Sequence, residues 1–159
     1  MEPTLADLET IYRMDYHRFL RVAEAISGDP HLAADAVNEG FAGAIRARDR
    51  FRGSGTLESW LWSCVVNAAR NTRRRQRPSS DIDAFAEQEA AAPAADHETL
   101  RELVADLPER QRLALFLRYY ADLDYREIAN VLRIEVGTVG ATLSKAQATL
   151  RSRLVEVSS

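Results

Sequence analysis

Apolar residues recur at steps of three or four along most of the chain, the spacing of helix faces rather than of strands. Leu5, Leu8, Tyr12, Tyr16, Phe19, Ala23 and Ile26 form the first such stripe. Gly28-Asp29-Pro30 ends that helix and starts another, because Asp29 can cap and Pro30 suits a first helical position. Ala33, Val37, Phe41, Ala44 and Ile45 make a second stripe. The glycines in Phe51-Arg52-Gly53-Ser54-Gly55 predict a loop. Thr56 or Ser59 can then cap a third helix bearing Trp60, Leu61, Cys64, Val65 and Ala68. The expected class is all-α.

Pro78-Ser79-Ser80 breaks the pattern, and residues 78–97 are acidic, alanine-rich and without a sustained apolar stripe. That composition predicts a flexible linker between a first domain at 1–77 and a second at 98–159. In the second, Leu100, Leu103, Val104 and Leu107 form a short apolar face ending at Pro108. A helix with Leu113, Phe116, Leu117 and Tyr120 follows.

Residues 125–132 predict a short helix with Ile128, Ala129 and Leu132 inward, and Arg133-Ile134-Glu135 a turn. A longer helix begins near Val136, its buried stripe running Val139, Leu143, Ala146, Leu150 and Leu154. Its other side is expected to present Thr138, Ala141, Thr142 and Lys145. Two helices crossing steeply need a small residue where they meet, which Ala129 supplies. This is a helix-turn-helix, a unit that pushes the start of its second helix into a major groove. Small polar side chains there approach base edges, while Arg126, Lys145 and Arg151 can meet phosphates. A plain helical hairpin inside a larger core is the competing reading.

The net charge of −3 hides strong segregation. Residues 46–77 carry nine arginines and two acids, and residues 78–109 carry one arginine and nine acids. Residues 110–154 are basic again, with eight cations and four acids. Two basic blocks on an acidic chain suggest two surfaces facing a polyanion. The run from Arg70 to Arg77 holds five arginines in eight residues, which suits phosphate contacts, although arginine also favours a solvated helix end. Trp60 and Trp62 lie two apart, so one packs inward while the other faces out. Trp60 is assigned to the core, and Trp62 either stacks on a base or packs.

Other functions find little support. His17, His31 and His97 are scattered, a single cysteine cannot build a zinc site alone, and no phosphate-binding loop or dinucleotide fingerprint occurs. No metal, no cofactor and no enzymatic activity are expected. Cys64 fits a buried thiol in a reducing compartment. The start, MEPTLADLET, lacks the features of a signal peptide, and the longest uncharged run, Ser59–Ala69, is too short to span a bilayer. A cytoplasmic protein without membrane insertion is expected.

The ordered strings Ala33-Ala34-Asp35-Ala36-Val37-Asn38-Glu39-Gly40-Phe41, Phe51-Arg52-Gly53, Trp60-Leu61-Trp62 and Asn67-Ala68-Ala69-Arg70-Asn71 resemble one known family. So do Leu107-Pro108-Glu109-Arg110-Gln111-Arg112, Tyr125-Arg126-Glu127-Ile128-Ala129 and Val136-Gly137-Thr138-Val139. The family is the bacterial RNA polymerase sigma factors, in their extracytoplasmic-function (ECF) group. The resemblance implies a region 2-like domain and a region 4-like domain that bind core RNA polymerase and promoter DNA, and it implies an anti-sigma factor as regulator. It implies that Asp35, Asn38 and Glu39 dock on the polymerase. Arg52, Trp62, Asn67, Arg70, Asn71, Arg73, Arg74 and Arg75 would read and open the downstream element. Arg126, Thr138, Ala141, Thr142 and Lys145 would meet the upstream element. The family usually carries a bulkier apolar residue at Gly40, and arginines at Gly140 and Thr142, so a weaker upstream grip is expected. A stand-alone helix-turn-helix regulator and a purely protein-binding adaptor are the alternatives.

Overall fold

A computed structural model describes residues 2–53, 55–76 and 97–158. All regular structure among them is helical: α1 (Leu5–Ser27), α2 (Pro30–Arg46), a short 3-10 turn (Arg48–Arg50), α3 (Leu57–Gln76), α4 (His97–Ala105), α5 (Glu109–Tyr119), α6 (Tyr125–Leu132) and α7 (Val136–Ser158). Residues 78–96 of the expected linker lie outside the described residues, and its last residue, His97, opens α4.

Local chemistry sets the helix ends. Thr4 and Asp7 form a capping box on α1, and Gly28 closes that helix with φ of 77°, a left-handed conformation that glycine adopts without penalty. The Asp29 carboxylate accepts from the backbone N–H groups of His31 (2.7 Å) and Leu32 (3.2 Å), as the sequence predicts. Of the two candidate caps for α3, Thr56 is the one used: its hydroxyl accepts from the Ser59 N–H at 3.0 Å. Asp124 and Glu127 form a second capping box on α6, and Arg133 ends that helix at φ of 58°.

In the N-terminal half α1, α2 and α3 pack mutually. Phe19 is fully buried at their centre, with the Phe41 ring edge-on at 5.1 Å and the Trp62 ring tilted at 4.1 Å. Val22, Ile26, Val37, Leu61, Val65 and Val66 complete the core. Leu5 and Ile45, placed on apolar stripes by spacing, are exposed. In the C-terminal half Leu107, Leu113, Leu117, Ile128, Val131, Val139 and Leu143 form the interior. The α7 stripe is buried as far as Ala146, half-buried at Leu150 and exposed at Leu154. The two halves also touch, with α3 on α6 and α1 on α5, and one continuous cluster of buried side chains runs through both.

At Gly40 α2 and α3 approach closely. A Cβ there would lie 2.8 Å from the Val65 Cα and 3.0 Å from its Cγ2, inside contact distance with backbone. The residue that departs from the family pattern is therefore matched to its neighbour. Gly40→Ala should cost about 1–3 kcal/mol, the usual penalty for overpacking. The check is thermal unfolding, where about 2–4 °C is lost per kcal/mol in a chain of this size. An unchanged midpoint would mean that α2 and α3 part freely.

Candidate nucleic-acid interface

Residues 70–76 of the basic run form the last turns of α3. Asn71, Arg74 and Arg75 are exposed, while Asn67, Arg70 and Arg73 are half-buried. Arg52 is exposed in the preceding loop. Not all of these cations face water alone. The Arg70 Nε donates to the Glu109 Oε1 at 2.9 Å, and Arg73 Nη1 lies 3.7 Å from the other oxygen of that carboxylate. Arg73 also donates to the Ile26 carbonyl at 3.2 Å, tying α3 to the end of α1. Arg75 donates to Glu39 at 3.2 Å on the surface.

Of the two alternatives for Trp62 the fold takes packing, and Trp60, assigned to the core, is only partly buried against it. Trp62 is 2% exposed and packed on Phe19, so it cannot stack on a base in this fold. Trp60 is half-buried beside the Phe51 ring, with centroids 5.5 Å apart. Phe51 and Trp60 form an aromatic pair at the start of α3, the opposite end of the helix from the basic run, a pairing that i, i+2 spacing alone does not reveal.

Asp35, Asn38 and Glu39 are all exposed on the outer face of α2, as expected. The Tyr12 hydroxyl donates to Asn38 Oδ1 at 2.8 Å and fixes that amide. Cys64 is half-buried, and burial pushes its thiol up to about 11, so it stays protonated and inert at neutral pH. Among the described residues no group of three or more His, Cys, Asp or Glu side chains could hold a metal ion.

In the C-terminal half the predicted turn at Arg133–Glu135 separates α6 from α7. Arg126, Ala141 and Lys145 are exposed and Thr138 is half-buried. Thr142 is 7% exposed and must be removed from the outward face. On a helix it falls between Val139, Leu143 and Ala146, three core residues, so its polarity misleads. Ser144 joins Gly137, Ala141 and Lys145 on the exposed side instead. A Cβ added at Gly140 would meet the Tyr125 ring edge at 3.6 Å, an ordinary contact, so packing does not require glycine there.

Comparison with known proteins follows this division. The profile of Sigma-70 region 2 matches residues 11–79, and that of Sigma-70 region 4 matches residues 97–150. The ECF RNA polymerase sigma-E factor of Escherichia coli (strain K12) is 34% identical over 146 residues, an overlap of 80% of this chain and 75% of that protein. The chain belongs to the ECF sigma factors. The RNA polymerase sigma-H factor of Pseudomonas aeruginosa is 30% identical over 152 residues, covering 82% of this chain and 77% of that one. Two solved structures share the fold. The sigma factor RpoE, crystallised with the anti-sigma factor NepR from Bartonella quintana, aligns with a TM-score of 0.73 at 24% identity, over 94% of this chain and 98% of that one. CnrH in complex with the cytosolic domain of CnrY aligns with a TM-score of 0.72 at 20% identity, over 98% and 92%. This ECF sigma factor is accordingly a polymerase-associated factor for promoter-specific initiation, not a stand-alone operator-binding regulator.

Proposed function

We propose that the outer face of α2 docks the polymerase, that α3 and its preceding loop engage the downstream promoter element, and that the first half of α7 enters the upstream element. The division at 1–77, 78–97 and 98–159 follows from those roles. Asp35, Asn38 and Glu39 supply an acidic, exposed face that suits a basic partner. Arg52 beside the Phe51 and Trp60 pair, and Asn67, Arg70, Asn71, Arg74 and Arg75 farther along α3, supply the aromatics, amides and cations whose combination holds an unpaired strand. Arg73 is mainly an anchor to α1, and Trp62 and Thr142 belong to the cores.

The observation that carries the reading is the outward surface of α7. Gly137, Ala141, Ser144 and Lys145 put small or basic side chains there, beside the exposed Val136 and directly after a left-handed turn. A helix so faced can approach base edges closely while a cation meets phosphate. No step requires catalysis by the chain itself. No helix among the described residues is long and apolar enough to cross a membrane, and the proposed place of action is the cytoplasm with its polymerase. Regulation by an anti-sigma protein is proposed from the two solved relatives, each crystallised or solved with such a partner or with CnrY.

The direct test is run-off transcription with purified core polymerase over genomic fragments and mapping of the start sites. Within that assay Lys145→Ala should weaken holoenzyme binding to upstream-element DNA and lower the salt slope by about 1, the mark of one lost phosphate contact. An unchanged slope and affinity would remove α7 from the DNA.

A further inference from the structure

Asp35, Asn38 and Glu39 share one exposed face of α2 at i, i+3, i+4 spacing, so a neutral amide stands beside two carboxylates. Its setting is more determined than an exposed amide requires. The Tyr12 hydroxyl, on α1, donates to Asn38 Oδ1 at 2.8 Å. The half-buried Tyr12 ring is itself held on two sides, edge-on to Phe41 with centroids 5.0 Å apart and tilted against Tyr16 at 5.1 Å. Phe41 in turn meets the buried Phe19 edge-on. The position of the hydroxyl is therefore set by the core and not by the surface. Burial, and then the charge of Tyr16, raises the Tyr12 pKa, so the phenol keeps the proton it donates at neutral pH.

A carboxamide offers a partner either an acceptor oxygen or two N–H donors. Left to itself on a surface, the group turns over and offers both. With Oδ1 engaged by Tyr12, the Nδ2 donors are what remains, and among the described residues that nitrogen has no hydrogen-bond partner. One exposed hydrogen bond adds little to stability. An orientation fixed before association, however, removes an ordering cost from binding. We propose that Tyr12 is a positioning residue for polymerase docking: it locks the Asn38 amide as a donor within the acidic face of α2. That face then selects a polymerase surface carrying an acceptor oxygen set among cations, in preference to any merely basic surface. The inference rests on the reading of α2 as the docking face.

The experiment titrates labelled full-length chain with core polymerase and reads fluorescence anisotropy, with circular dichroism on heating as the measure of folding. Tyr12→Phe keeps the ring and deletes the hydroxyl. It should bind core roughly threefold to tenfold more weakly, with a thermal midpoint within about 4 °C of wild type. Asn38→Ala should weaken binding by roughly tenfold, and adding Tyr12→Phe to it should cost nothing further, because the hydroxyl then has no amide to hold. Asn38→Asp tells an aimed donor from plain charge. It still accepts from Tyr12 and adds a negative charge, but it has no N–H to give, so binding should fall by roughly tenfold or more. Wild-type affinity in Tyr12→Phe overturns the proposal. So does a loss that persists in the Asn38→Ala background, or an Asn38→Asp variant that binds core as well as or better than wild type. Arginine at both 35 and 39 separates the two ideas in the same titration. If that folded variant assembles normally, α2 is not the docking face and the role of Tyr12 falls with it. If it fails to assemble while Tyr12→Phe binds as wild type does, the docking face stands and the positioning role alone is wrong.

Discussion

Trp62→Ala is expected to destabilise the chain by about 3–5 kcal/mol, the range for emptying a buried large aromatic. The indole is 2% exposed and lies 4.1 Å from the Phe19 ring, which itself contacts Phe41, so its removal leaves a hole where three helices meet. Trp60→Ala should cost much less, because that ring is half-buried and rests on Phe51 at the surface. Denaturant unfolding of the two variants measures the difference directly. The assignment is lost if Trp62→Ala unfolds at the wild-type midpoint while Trp60→Ala does not. In the holoenzyme the order should invert: Trp60→Ala, folded, should slow promoter opening.

Replacing both Asp35 and Glu39 with arginine should reduce affinity for core polymerase by roughly two orders of magnitude, since juxtaposed like charges cost several kcal/mol and each 1.4 kcal/mol is tenfold. The fold should survive, because both side chains are exposed on α2 and the pair between Glu39 and Arg75 is a solvated one. Sedimentation of the mixed proteins reads the binding, and circular dichroism reads the fold. Normal holoenzyme assembly by a folded double variant would clear α2 of any docking role.

Much of the architecture was legible because its signals are local. Asp29 and Pro30 mark a helix start within three residues, and the turn at Arg133-Ile134-Glu135 marks the end of α6. The exposure of Asp35, Asn38 and Glu39 follows from their offset from the Ala33, Val37 and Phe41 stripe. What was illegible depends on partners distant in the chain. Whether Trp60 or Trp62 turns inward is decided by Phe19, more than forty positions earlier in the sequence. Thr142 looked like a surface residue by chemistry, yet its angle on α7 lies beside the core stripe. The union of Glu109 with Arg70 joins residues on either side of a segment that reads as a flexible tether, so no spacing rule within one helix could expose it.

The lack of any side chain at Gly40, where α2 meets α3, has a mechanical consequence. At Gly40 the two helices are in backbone contact, and sliding or tilting one against the other would bring Gly40 into the Val65 main chain. Rigid seating transmits position. On the proposed docking of α2, polymerase that seizes this helix would carry the cationic end of α3 to a fixed address on the template, like the far end of a welded bracket.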